Sequence, residues 1–198
     1  MKTDECKVIT GVCRFSYLYA VNPHTSEEGQ TPRYSVSLLI PKTDTATIEK
    51  INAAVNAAYE AGINKLQGNS KIKPTLETLK TPLRDGDGEH PDSELYAGCY
   101  FLNASNTRKP GIVDKFCNPI EDETAIYSGM YGRASISFYA FNKSGNKGIA
   151  CSLNNLMKTA DGERLSGTAT AFEDFNEFAE TQKIDENTGE IISGDCPL

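Results

Sequence analysis

The strongest constraint on the fold of this chain is a strict two-residue alternation across residues 131–141. Ala134, Ile136, Phe138 and Ala140 fall on one side, and Arg133, Ser135, Ser137, Tyr139 and Phe141 on the other. That period belongs to a β-strand with one buried face. A second stretch, residues 33–40, repeats it, with Tyr34, Val36, Leu38 and Ile40 alternating against Arg33, Ser35 and Ser37. Residues 7–19 are rich in β-branched and aromatic types and read as one long first strand. Further strands are expected near 97–103 and 148–153, with a brief pairing at Ile112 and Val113.

One helix interrupts this series. After Pro41, Asp44 or Thr45 can cap a segment in which Ile48, Ile51, Val55 and Ala58 form an apolar stripe, and Gly62 suits its end. Residues 67–95 read as a long polar connection broken by Pro74, Pro82, Gly86, Gly88 and Pro91. Strands in series with a single inserted helix fit a five-stranded, OB-fold-like barrel better than a βαβ array. The expected class is therefore mainly β, an OB-type barrel with an inserted α-helix and an acidic C-terminal tail.

Charge divides the chain in two. The formal net charge is −7. It arises wholly from residues 173–198, where Glu173, Asp174, Glu177, Glu180, Asp185, Glu186, Glu190 and Asp195 face a single base, Lys183. Residues 1–167 are expected to form the barrel domain and residues 168–198 an acidic, partly disordered tail. Phe172, Phe175 and Phe178 recur every third residue and suggest a short amphipathic helix, with polar, unstructured chain after Thr181. An acidic strip carrying flat rings mimics nucleic acid, so it can compete for a groove on the body or dock on a basic partner protein.

Chemistry is poorly supported. His24 and His90 are the two histidines, both beside prolines in loop-like settings, and no phosphate-binding or dinucleotide motif is present. The six cysteines are scattered without a C-x-x-C pair, which argues for reduced structural thiols over a metal site. Asp85-Gly86-Asp87-Gly88-Glu89 lacks the twelfth-position glutamate of an EF-hand, so a solvated turn is preferred to a cation loop. Neither enzymatic activity nor a cofactor is expected. No apolar run is long enough to span a membrane, and residues 1–6 lack the apolar stretch of a secretion signal, which points to the cytoplasm.

Binding is better supported. Tyr139 and Phe141 beside Arg133, on the polar side of the strongest strand, would form a stacking platform for unpaired bases. Arg33 beside Tyr34, Lys42 at a strand end, and Arg108 with Lys109 in a loop could meet phosphates. The rival reading is a protein–protein interaction module that uses the same face without touching DNA.

Several blocks occur in a telling order: Phe15-Ser16-Tyr17, Tyr34-Ser35-Val36-Ser37-Leu38-Leu39-Ile40-Pro41-Lys42, Leu83-Arg84-Asp85-Gly86-Asp87, Tyr127-Ser128-Gly129-Met130-Tyr131-Gly132, and Gly148-Ile149-Ala150 leading to Leu153-Asn154-Asn155. In these the chain resembles a phage and prophage family of single-stranded-DNA-binding proteins, first catalogued as a domain of unknown function. The resemblance spans most of residues 7–167. It implies an OB-fold that coats unpaired DNA in replication or recombination within a bacterial host, encoded by a phage or prophage. It also implies an acidic C-terminus contacting replication or recombination proteins. Pairing into a homodimer is one way such a barrel lengthens its groove. The chain departs from the bacterial type in ending Cys196-Pro197-Leu198, without an acidic-aromatic tip.

Overall fold

Ala134, Ile136 and Phe138 point into a common interior, as their alternation requires, and are at most 3% exposed. The structure, a computed structural model, describes residues 5–25, 29–69, 71–143 and 146–165, together with the strand backbone of 183–184 and 191–192. It divides into two compact units, Met1–Leu165 and Ser166–Leu198.

The first unit contains, in chain order, β1 (Lys7–Ile9), β2 (Cys13–His24), β3 (Arg33–Pro41), α1 (Thr45–Gln67), β4 (Arg84–Asp85), the single turn α2 (Gly86–Glu89), β5 (Cys99–Asn106), β6 (Gly111–Val113), β7 (Tyr131–Lys143) and β8 (Asn146–Ala160). Five of these strands close a ring. β2 pairs antiparallel with β3, β3 with β5, β8 with β7 and β7 with β2, while β5 and β8 meet in parallel. The parallel seam has one register pair, Ala104 opposite Cys151. Further back along β5, β4 pairs with Phe101 and Tyr100, so the ring is not a regular barrel. The expected OB-like topology with one inserted helix is present.

The interior is filled from every wall: Phe15 from β2, Leu38 and Ile40 from β3, Leu102 from β5, Ile136 from β7, Leu153 and Leu156 from β8. α1 adds Ile51, Ala54, Val55, Ala58 and Leu66. Asp44 caps α1, its Oδ1 accepting the Thr47 N–H at 3.1 Å.

Several boundaries differ from the sequence reading, among them the end of β5 at Asn106 and the short β4 and α2 within the expected connection 67–95, and two have a reason in the packing. The first strand is two strands, because residues 10–12 leave the ladder to receive the start of α1. Gly11 N–H donates to Thr47 Oγ1 at 2.7 Å, and a Cβ on Gly11 would strike the Asp44 carboxylate. Buried Thr10 fills the gap in the pairing, its Oγ1 accepting the Ala134 N–H at 3.0 Å. The helix does not stop at Gly62 but continues to Gln67, ending at Gly68 with φ +56°. Gly62 is needed inside it because α1 lies so close to β7 that a Cβ there would collide with that of Ala140. β8 runs on to Ala160, well past the expected end near Leu153.

In the second unit, Lys183–Ile184 (β9) pairs antiparallel with Ile191–Ile192 (β10), Ile184 opposite Ile191. The polar sequence after Thr181 had suggested no regular structure. The helix expected around Phe172, Phe175 and Phe178 lies outside the described residues.

Candidate nucleic-acid interface

The outward face of the wall formed by β2, β3 and β5 gathers the exposed aromatic and polar side chains. Opposed residues in a ladder share a face. Ser35 stands opposite Ser105, Ser37 opposite Asn103, and Leu39 opposite Phe101. On β2, Tyr19 stands opposite Ser35 and His24 opposite Arg33. Between Ser16 and Tyr19 the register slips by a residue, and Tyr17 sits in this bulge at φ 46° with its side chain 64% exposed. A left-handed tyrosine is uncommon, and its backbone strain is held by the surrounding ladder. The Tyr19 and His24 rings stack with centroids 4.5 Å apart.

One end of this face deepens into a cleft of about 450 Å³. Its floor holds Ser35, Ser37, Phe101 and Asn103. Its walls are Tyr17 and the connector residues Arg84, Glu89, His90 and Tyr96. The rings interlock: His90 lies 4.2 Å from Tyr96 and 5.2 Å from Phe101, and Arg84 covers the face of Phe101 at 4.2 Å. Arg84 Nη1 also pairs with Glu89 Oε2 at 3.0 Å. Burial, and the nearby Tyr17 phenol, push the Tyr96 hydroxyl above its ordinary range, against smaller opposing effects of Ser37 and Arg84.

The connector is clamped to the ring by Lys42. Its ammonium lies 2.6 Å from Asp85 Oδ1 and 2.7 Å from Asp87 Oδ2. Asp85 Oδ1 also accepts the Asp87 N–H, and Asp87 Oδ1 accepts the Gly98 N–H at 2.9 Å. The hydrogen bonds from Lys42 hold both carboxyls below their usual range. The acidic-glycine stretch is thus a turn, as the sequence suggested, but its acids bond local amides and Lys42, the lysine expected to meet phosphate. Among the described residues no cluster of His, Cys, Asp or Glu is arranged to hold a metal ion.

The sequence-derived site residues are dispersed. Arg33, Tyr34 and Arg108 gather where β3 begins and β5 ends, with Tyr34 opposite Asn106. Arg33 lies across the two strands, donating from Nε to Ser105 Oγ at 3.1 Å and from Nη2 to Ser105 O at 3.3 Å. Arg108 is exposed, whereas Lys109 pairs with Glu123 at 3.3 Å. Lys42 is at the opposite end of β3, engaged as described. Arg133, Tyr139 and Phe141 stand on β7, which β2 separates from β3. Arg133 Nη1 donates to Thr10 O at 3.2 Å. Tyr139 is 42% exposed at the rim of an apolar groove beside α1, and half-buried Phe141 lies opposite Gly148.

Sequence reasoning missed Tyr17, Tyr19, Arg84 and both histidines. His24 and His90, expected in loop-like settings, each meet a tyrosine ring, His24 stacked on Tyr19 and His90 tilted against Tyr96. The bulge at Tyr17 resets the alternation, so Phe15 and Tyr19 occupy opposite faces although their numbers share a parity. The Pro-flanked loops concealed the rings each histidine meets.

A closed ring of five strands in this order, with aromatic groups outward on its first strand and Arg33 on its second, has the architecture of the OB class of barrels. Residues 6–187 match the family model described as the single-stranded-DNA-binding protein of Enterobacter phage Enc34, and the chain belongs to that family. A relative, "Putative protein p50" of Acyrthosiphon pisum secondary endosymbiont phage 1, is 31% identical over 154 residues, covering 74% of this chain and 80% of the relative. The bacteriophage Enc34 single-stranded DNA-binding protein in complex with ssDNA superposes with a TM-score of 0.65 at 23% identity, over 84% of this chain and 95% of that one. The single-stranded DNA-binding protein gp2.5 of bacteriophage T7 gives 0.59 at 16% identity, over 83% and 97%. The structural likenesses establish a shared fold. Among the described residues no helix is long and apolar enough to cross a membrane.

Proposed function

We propose that this chain binds single-stranded DNA along the outer face of β2, β3 and β5 and performs no chemistry on it. The observation that carries the reading is the exposed aromatic row Tyr17, Tyr19 and His24 beside Arg33. Unpaired bases stack on such rings irrespective of sequence, while Arg33 and Arg108 meet phosphates. Family membership supports the same ligand. Residues 1–167 are the DNA-binding domain, and residues 168–198 are an acidic segment for replication or recombination partners. The setting is the cytoplasm of a bacterial host, with the protein encoded by a phage or prophage and coating unpaired DNA. Arg133, Tyr139 and Phe141 form a second wall that the strand borders beyond β2 without stacking on its rings.

The test is fluorescence anisotropy with a labelled oligo-dT of about 30 nucleotides, a length spanning several OB footprints, beside a matched duplex. Salt-sensitive binding to the single strand, weakened by Tyr19→Ala, supports the reading. Absence of binding at low salt overturns it and favours the protein-interaction alternative.

A further inference from the structure

The cleft at the end of the β2–β3–β5 face differs chemically from the open platform beside it. Its floor is polar and underused. The Asn103 side chain is exposed and has no hydrogen-bond partner among the described residues. Ser37 is 5% exposed, its Oγ buried beside the Tyr96 phenol, so Asn103 is the polar group the floor presents. The walls offer the exposed ring of Tyr17, and the volume of about 450 Å³ lies in the range of small-molecule sites.

Charge decides which part of a nucleotide enters. Arg84 is already paired with Glu89, and Glu89 lines the cleft. A phosphate pushed inward would meet that carboxylate, so the sugar-phosphate backbone stays at the rim and a base goes in. The acceptor awaiting it is the Glu89 carboxylate, beside an Asn103 amide that can accept or donate. Cytosine and adenine present an exocyclic amine that donates to such an acceptor. Thymine presents a carbonyl at the same position and is repelled.

We infer that this cleft takes one base out of the bound strand and prefers one bearing an amino group, giving an otherwise sequence-tolerant protein a bias for cytosine or adenine over thymine. The inference rests on the proposed binding of single-stranded DNA and deepens it. Glu89 is its specificity-determining residue, and Asn103 adds a hydrogen bond to either kind of base edge.

The experiment compares oligo-dC with oligo-dT of equal length at one salt concentration, using the full chain. A preference for dC of about fivefold or more is expected, the lower end of what one good base contact contributes. Glu89→Gln, whose amide can donate to the thymine carbonyl, brings the ratio towards one. Asn103→Ala, on an exposed position that leaves the Arg84 pair intact, weakens binding of both strands and so reports on the cleft should Glu89→Gln loosen the connector. Tight but equal binding of dC and dT by the wild type overturns the cleft inference alone, as does a ratio that Glu89→Gln does not move. Failure to bind either strand overturns the DNA reading beneath it as well.

Discussion

The imidazole of His24 lies on the phenol ring of Tyr19, their planes 15° apart, although the two residues are five positions apart on one strand. In a regular strand that separation is roughly 17 Å, with the side chains on opposite faces. The contact exists because β2 loses register with β3 between Tyr19 and His24, so the chain bends and turns both rings outward. A rigid stacked pair loses little freedom when a base joins it.

Replacing Tyr19 should therefore weaken single-strand binding more than replacing any aromatic of the β7 wall. Tyr19→Ala is expected to cost about 1–3 kcal/mol in oligo-dT affinity, the usual value of one stacked base. Tyr139→Ala, at the rim of the groove beside α1, should stay within about 0.5 kcal/mol. Anisotropy titrations of the two variants decide between the walls, and the reverse order would move the interface to β7.

Lys42 gives the connector an acid-sensitive anchor. Asp85 and Asp87 titrate below their ordinary range because Lys42 holds them charged. A carboxyl lowered in the folded state stabilises it above the unfolded value, near pH 3.9, and that contribution disappears as pH falls through the lower folded value. Acidification below about pH 4 should release the connector, and exchange of the Gly98 amide hydrogen, bonded to Asp87, should accelerate first. Lys42→Met should expose that amide at neutral pH and flatten the acid response. Equal protection in both proteins would show that the clamp contributes nothing.

Much of this architecture was legible in the residues, and what was not has identifiable causes. The interior half of β7 followed from alternation because burial on one side imposes a period of two. The cap at Asp44 followed from side-chain chemistry. The end of α1 did not, because Gly62 looks like a terminator until Ala140 is seen against it. The binding face was read on β7 because its alternation is unbroken. The aromatic face of β2 is hidden by a bulge, and no local pattern announces where a ladder slips. Lys42 was read as a phosphate contact because its two carboxylates lie far along the chain, in a stretch that looks like a solvated turn.

The approach of α1 to β7 at Gly62 can be tested directly. In an isolated helix, alanine is better than glycine by about 1 kcal/mol. Here the added methyl must displace Ala140 or push the helix off the ring. Gly62→Ala should thus destabilise the protein by about 1–3 kcal/mol, the range for overpacking, despite the gain in propensity. Urea denaturation measures the net sign. Stabilisation would mean that the helix can shift without loss.

Salt dependence should distinguish the basic residues that sequence alone treats alike. Each phosphate contact on a single strand adds about 0.7 to the slope of log affinity against log salt. Arg108 is exposed on the loop after β5 and should make such a contact, so Arg108→Ala should lower the slope by about that amount. Lys42 is engaged by Asp85 and Asp87 at the other end of β3, and Lys42→Ala should leave the slope unaltered even if the connector loosens. Lys109 is intermediate, since its exposed pair with Glu123 can open at little cost. The order Arg108, Lys109, Lys42 in anisotropy titrations over several salt concentrations would trace the backbone past the start of β3. Equal slopes for all three variants would mean that the phosphates run elsewhere, and the β7 wall with Arg133 would become the next surface to substitute.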